Sequence, residues 1–318
     1  MNNPLVSVIC LCYNHASFVE QSVRSVLQQT YENIQLIIVD DSSVDDSPLI
    51  IDKLKRENPA IEVLALKDNV GNCKAFNLGY ALCRGDFVID FAADDIMMPQ
   101  RVERQVRHLS TMDETYGVSF TDAIYIDEKG STLRDHYGYL FRKGLVKIVP
   151  QGDVYREILH TYFVASPTMM VKRKVMDSLG GYDENLSYED FDFWVRSARN
   201  FKYAFLNEKL TMIRKSRRSM SSRWYMRGDK QLHSTYMVCK KAVELSRSPQ
   251  DLVALSKRLK YELRQSVFSS NHLEATHFYD LLGEIGFRGP ADRLLYILNK
   301  FRLPLAPLRK LYHYLRFE

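Results

Sequence analysis

No apolar run in the 318 residues approaches the roughly 18 needed to cross a bilayer. No basic-then-apolar leader precedes the first strand-like segment, so the reading is a chain made and kept in the cytoplasm. There is no Gly-x-Gly-x-x-Gly and no Walker loop, which removes support for nicotinamide or ATP chemistry. Nothing has the form of a helix-turn-helix, a zinc finger or a ribonucleoprotein strand, so no nucleic-acid partner is expected. The five cysteines are odd in number and lack disulfide spacing, which points to a reducing setting. Cys10 and Cys12 alternate on one predicted strand and read as small core residues, since no further ligands stand at metal-binding spacing.

At 46% hydrophobic and 26% charged, the composition is that of a globular protein able to bury a sizeable core. The net charge of +5 is compatible with anionic small substrates or an anionic membrane surface, and decides between neither.

The first half alternates strand and helix. Leu5 to Cys12 is a compact apolar run, as in a strand buried on both faces. Ser17 to Glu20 has the form of a capping box before Val19, Val23, Val26 and Leu27 at helical spacing. A second apolar run, Ile34 to Val39, ends at Asp40-Asp41-Ser42-Ser43. Pro48 stands at a helix start. Ile61 to Leu66 reads as a third strand, and Cys73 to Cys83 as a helix stopped by Gly85. Phe87 to Phe91 and Val118 to Ile126 read as further strands, with a helix opened by Pro99 between them. This succession predicts βαβ units, hence an α/β fold with a mainly parallel sheet flanked by helices. In such sheets ligands bind beyond the carboxyl ends of the strands, so the pairs Asp40-Asp41 and Asp94-Asp95 should reach one edge. From about 225 onward the pattern is helical and rich in Lys and Arg. The expected organisation is a sheet domain over 1–224 and a C-terminal helical, basic region over 225–318.

Three segments carry chemistry: Val6 to Asn14 with Gln28-Gln29-Thr30 and Ile38 to Ser43; Asp90 to Asp95 with Pro99; and Gly181-Tyr-Asp-Glu184 with Glu189 to Arg196. Each is weak alone. In this order and spacing they resemble the family 2 inverting glycosyltransferases with the GT-A (Rossmann-like) fold, over roughly residues 5 to 220. The resemblance implies transfer of a sugar, a hexosyl group, from a nucleotide-diphosphate sugar, UDP-sugar foremost, to an acceptor hydroxyl. It also implies a divalent metal, Mn²⁺ or Mg²⁺, and a role in surface polysaccharide or other glycan synthesis on a glycan or lipid-linked acceptor. It makes Asp41 the contact to the base, with Asp40 close by. In the family's DXD element the last carboxylate holds the metal, which makes Asp94 the ligand here; one carboxylate suffices for a hard cation shared with phosphates. The first acidic position is Ala92. Asp95 would cap the next helix or support Asp94. Asn77 lies on the helix that approaches the donor, with Phe76 where relatives carry Arg. Asp190 would be the general base, with Glu189 orienting it or the acceptor. Asp192 is set to pair with Arg196 at i+4. In Arg214 to Arg218, Ser216 stands where many relatives have His, leaving Arg214, Arg217 or Arg218 to face the leaving diphosphate.

Two other readings compete. A sugar-phosphate nucleotidyltransferase would need a glycine-rich loop where Cys12 to Ala16 stands without glycine. A non-catalytic nucleotide-sugar-binding scaffold would account for the departures at Ala92, Phe76 and Ser216, against the retained Asp94 and Asp190. The segment 290–318 mixes Arg293, Lys300, Arg302, Arg309, Lys310 and Arg316 with apolar residues. It fits peripheral contact with an anionic membrane or a partner, or packing back on the domain; Pro304 and Pro307 exclude one long helix. Neither the specific sugar, nor the acceptor, nor an oligomeric state is encoded legibly.

Overall fold

The computed structural model describes residues 3–216 and 225–303. The chain forms two compact units. The first comprises Met1–Val154, Phe163–Asn185 and Asn200–Ser216. The second comprises Tyr155–Tyr162, Leu186–Arg199 and Arg217–Glu318.

The first unit is an α/β sheet. Its strands are β1 (Val6–Cys12), β2 (Ile34–Asp40), β3 (Glu62–Ala65), β4 (Phe87–Ala92), β5 (Ile96–Met97), β6 (Tyr116–Ile126), β7 (Thr132–Asp135), β8 (Met170–Lys172) and β9 (Lys202–Arg214). Its helices are α1 (Val19–Leu27), α2 (Ser47–Glu57), α3 (Asn72–Tyr80), α4 (Arg101–Ser110), α5 (His136–Arg142) and, later in the chain, α7 (Arg173–Leu179). The sheet order is β3-β2-β1-β4-β8-β6-β9-β5, with β7 on β6. Every residue of β1 is buried, as its unbroken apolar run requires of a central parallel strand. Val6, Val8, Cys10 and Cys12 share a core with Val19, Val23 and Val26 of α1 and with α2 and α4. The two cysteines are therefore core residues, as the alternation predicts.

Parallel pairing joins β3, β2, β1 and β4, and also β6 with β9. The short strand β8 lies antiparallel between β4 and β6, an interposition that three residues without a periodic pattern do not announce. Two local expectations are corrected. The capping box at Ser17 does not form: Phe18 is the N-cap and no side chain caps α1. Glu20 instead pairs with Arg24 one turn on in α1 and with Lys53 of α2, so ion pairs take the carboxylate that the box needed. Helix α3 stops at Tyr80, and Gly85 is required elsewhere. A Cβ there would stand 2.6 Å from Ser7 N and 2.8 Å from Leu5 O, because the chain passes hard against β1.

The second unit is helical: α6 (Tyr155–His160), α8 (Asp190–Ser197), α9 (Lys230–Leu245), α10 (Pro249–Phe268), α11 (His272–Glu284) and α12 (Pro290–Lys300). Asp251, near the start of α10, ties it together. Its carboxylate accepts from Arg156 of α6 at 2.8 Å, from Arg199 at 2.9 Å and from the Arg247 backbone at 3.0 Å. No helix among the described residues is long and apolar enough to cross a membrane.

Candidate functional site

Parallel strands deliver their carboxyl ends to one edge, and register brings both acidic pairs there. Cys12 of β1 stands opposite Asp40 of β2, and Leu11 of β1 opposite Ala92 of β4. The end of β1 thus lies between Asp40-Asp41 and Asp94-Asp95. Asp40 accepts from Ser43 Oγ at 2.5 Å. Asp41 accepts the backbone N–H groups of Val70 at 2.7 Å and Gly71 at 3.0 Å. Asp41 therefore shapes the Asn69–Gly71 loop that leads into α3, and each carboxylate oxygen keeps a second lone pair.

The two acids after β4 have different surroundings. Asp94 is half-buried, and among the described residues its carboxylate makes no hydrogen bond or ion pair. Asp95 is 2% exposed and accepts the Arg214 backbone N–H at 2.8 Å. Burial, reinforced by the Asp94 charge, pushes its carboxyl well above the usual range. Neither caps α4, whose N-cap is Gln100; the Asp95 carboxylate is bonded to the backbone at the end of β9 instead. The fully buried Arg101 is drawn down to about 9 by burial, with Asp95 opposing.

Arg214 is also buried. Its guanidinium donates from Nε to Asp94 O at 2.9 Å and from Nη1 to the carbonyls of Asp127 and Glu128 at 3.0 and 3.2 Å. Nη2 donates to Gln21 Oε1 at 2.9 Å. The five-donor fork is thus spent on protein acceptors, tying the Asp94 backbone to the Asp127-Glu128 turn and to Gln21 of α1. Ser216 is the last described residue before the gap, and Arg217 and Arg218 lie outside the described residues.

Asn77 works as a clamp. Its Nδ2 donates to Tyr182 O at 2.9 Å and Glu184 Oε1 at 3.0 Å, and its Oδ1 accepts the Tyr182 N–H at 2.9 Å. A Cβ on Gly181 would meet Asn77 Oδ1 at 2.5 Å, and φ there is +82°, so only glycine admits the clamp. Phe76 stacks on Tyr182 at 4.2 Å between centroids, and Tyr182 Oη donates to Asp90 at 3.0 Å. Phe76 is thus given over to packing.

Glu189 and Asp190 belong to the helical unit. Glu189 is the N-cap of α8 and Asp190 its first residue, with no side-chain cap bond. Asp192 is 1% exposed. It accepts from Arg196 at 2.6 Å, the expected i+4 pair, and from Lys241 at 2.7 Å, a partner that sequence spacing does not indicate. Among the described residues no group of three or more His, Cys, Asp or Glu side chains could hold a metal. Tyr13 is 46% exposed just past β1; its place between the acidic pairs follows only from the strand order, which no local sequence signal encodes.

A glycosyltransferase of Methanocaldococcus jannaschii, itself uncharacterized, is 28% identical over 222 residues, covering 67% of this chain and 72% of that protein. One from Haemophilus influenzae is 25% identical, over 62% of this chain and 61% of its own length; the chain thus spans less than two thirds of that relative. Among solved structures, S. aureus TarS 1-349 in complex with UDP-GlcNAc superposes with a TM-score of 0.71 at 17% identity, covering 96% of this chain and 92% of that one. The mannosyltransferase PcManGT from Pyrobaculum calidifontis, in complex with GDP-Man and Mn²⁺, gives 0.61 at 14% identity, covering 96% and 87%. These likenesses establish the GT-A fold. The sequence profile of glycosyl transferase family 2 matches residues 7–180, and with more than half its length so matched the chain belongs to that family.

Proposed function

We propose that the protein transfers a sugar, with inversion, from a nucleotide-diphosphate sugar to an acceptor hydroxyl. The observation that carries the reading is Asp94: a half-buried carboxylate at the end of β4, without a protein partner among the described residues, one strand away from Asp40-Asp41. A single carboxylate of this kind suits Mg²⁺ or Mn²⁺, which bind through one or two carboxylates plus substrate phosphates. When bound, the metal would neutralise charge on the diphosphate. Tyr13 offers a ring face, and Asp40 and Asp41 acceptors, to the nucleoside. Asn77 and Arg214 act through what they hold: the Tyr182–Glu184 turn and the Asp94 backbone. Asp190 takes the acceptor proton as its oxygen attacks the anomeric carbon, and the bond to the diphosphate breaks on the opposite face. Glu189 orients the acceptor or the base.

UDP-sugars are the first donors to try, since a structural neighbour is complexed with UDP-GlcNAc; GDP-mannose follows from another, complexed with Mn²⁺ as well. A glycan or lipid-linked glycan in surface polysaccharide synthesis is the proposed acceptor class. Exposed Leu294 and Ile297 on α12 and Phe301 at its C-cap support peripheral contact of the region from 290 onward with an anionic inner membrane face. Residues 304–318 lie outside the described residues. The scaffold alternative draws support from Phe76 and Arg214, both committed to protein contacts.

Calorimetry of UDP and UDP-GlcNAc with Mn²⁺, and again with chelator, tests the metal. Donor affinity should collapse with chelator, and Asp94→Ala should reproduce that loss. Equal affinities under both conditions remove the metal from the proposal. Release of UDP from donor without acceptor separates an enzyme from a scaffold.

A further inference from the structure

Helix α9 turns a row of polar side chains toward the segment that bears Glu189 and Asp190. Ser234 Oγ accepts the Ser187 backbone N–H at 2.9 Å and shares a second hydrogen bond of 2.9 Å with Ser187 Oγ. Thr235 Oγ1 meets Tyr188 Oη at 2.6 Å. Two turns on from Ser234, Lys241 Nζ reaches Asp192 at 2.7 Å. The contacts bracket Glu189-Asp190: two residues are held before the pair and one after it. Ser234, Thr235 and Tyr188 are each no more than 5% exposed, so these bonds are sheltered from competing water.

A second set of contacts braces Tyr188. Its hydroxyl lies 3.5 Å from that of Tyr162. The Arg258 guanidinium of α10 covers the Tyr162 ring at 3.9 Å and pairs with Glu262 at 3.2 Å. Tyr225 donates to Glu262 at 3.1 Å. Placing this many polar groups inside a helical core costs stability relative to apolar packing unless each is matched. What directional bonds add is a fixed geometry.

We propose that α9 is the positioning helix for the base-bearing segment, with Ser234, Thr235 and Lys241 as positioning residues that hold residues 187–192 in one conformation. The proposal rests on the reading of Asp190 as base. A displacement of about 1 Å at a reacting group costs on the order of 10²-fold in rate, so small loosening here reads out in turnover.

The test uses the full chain with Ser234→Ala/Thr235→Val and Lys241→Met, each beside a conservative counterpart, Thr235→Ser and Lys241→Arg. Hydrogen exchange by mass spectrometry should show protection lost in peptides covering 186–192 and retained in β1 and β4. Release of UDP from UDP-GlcNAc, with water as acceptor, should show kcat lower by about 10- to 100-fold while donor KM stays within about twofold. The conservative variants should recover most of kcat. Unchanged protection over 186–192 overturns the proposal. So does a kcat loss that follows thermal stability alone and is not recovered by Thr235→Ser or Lys241→Arg. Asp190→Asn, run in parallel, isolates the underlying reading: full turnover there removes Asp190 as base, while the exchange data still report whether α9 holds the segment.

Discussion

Asp190 and Asp192 stand two residues apart on α8 but in different places. Asp192 is buried between Arg196 and Lys241, and its charge is consumed by holding helices together. Asp190 opens the helix, where the macrodipole favours a carboxylate. Asp190→Asn preserves shape and hydrogen-bonding capacity but cannot accept the acceptor proton. Turnover should drop by at least the roughly 10²–10⁴-fold typical of losing a general base, with donor affinity nearly unchanged. Steady-state kinetics beside donor calorimetry would check this, and nuclear magnetic resonance of the product should find the anomeric configuration inverted. Full activity in Asp190→Asn, or a retained configuration, assigns the chemistry to another carboxylate or another mechanism. Asp192→Asn should instead register as lost thermal stability, because it leaves two cations facing a neutral amide.

Strands and their acidic ends were legible because parallel strands impose a simple rule: apolar runs buried on both faces, with function at their carboxyl ends. Asp40-Asp41 and Asp94-Asp95 could be placed on one edge from that rule alone. The partners of Asn77 and Arg214 could not. Asn77 closes on residues more than a hundred positions away, and Arg214 on Asp94 and Gln21. Long-range hydrogen bonds leave no periodic trace, so both side chains read from sequence as ligand contacts. Ser234 and Thr235 carry no sequence signal for a related reason, since hydroxyls on a helix look the same in sequence whether they face water or a buried partner.

The Asp251 clasp joins α6, the turn after α8 and the segment leading into α10 through Arg156, Arg199 and the Arg247 backbone. Burial alone would raise its carboxyl, but bonds from Arg156, the Arg247 N–H, Ser248 and Arg199 outweigh it and hold the group well below the usual range. A depressed pKa contributes stability that is complete above the unfolded value, near 3.9, and fades as pH falls toward the folded one. Asp251→Asn should therefore lower stability by about 3 kcal/mol near neutrality. The gap from the parent should narrow below about pH 4. Thermal melts across pH check both parts, and a gap independent of pH would show that the charge is not what the clasp uses.

At the scale of the molecule, the net charge of +5 is less telling than where apolar surface is left uncovered. Leu294 and Ile297 on α12 and its C-cap Phe301 are 58%, 50% and 71% exposed, while Tyr296 stacks on Tyr279 of α11 at 4.0 Å. One side of α12 is thus packed and another is a bare apolar row near Arg293, Lys300 and Arg302, as in helices that lie in a lipid interface. Vesicles rich in phosphatidylglycerol should float the protein and vesicles of phosphatidylcholine should not, with Leu294→Glu/Ile297→Glu abolishing flotation. Failure to bind the anionic vesicles rejects the membrane contact.

The chain passes between its two units at 154/155, 162/163, 185/186, 199/200 and 216/217. Such threading constrains inheritance. A single recombination event near 216 would carry α9 to a new gene and leave α8, whose Asp192 it grips, behind with the sheet. The helical end therefore cannot be traded between relatives as a cassette. Changes in α9 and α10 must be answered by changes in 155–162 and 186–199, so lineages that diversify this end will do so by matched substitution rather than by exchange.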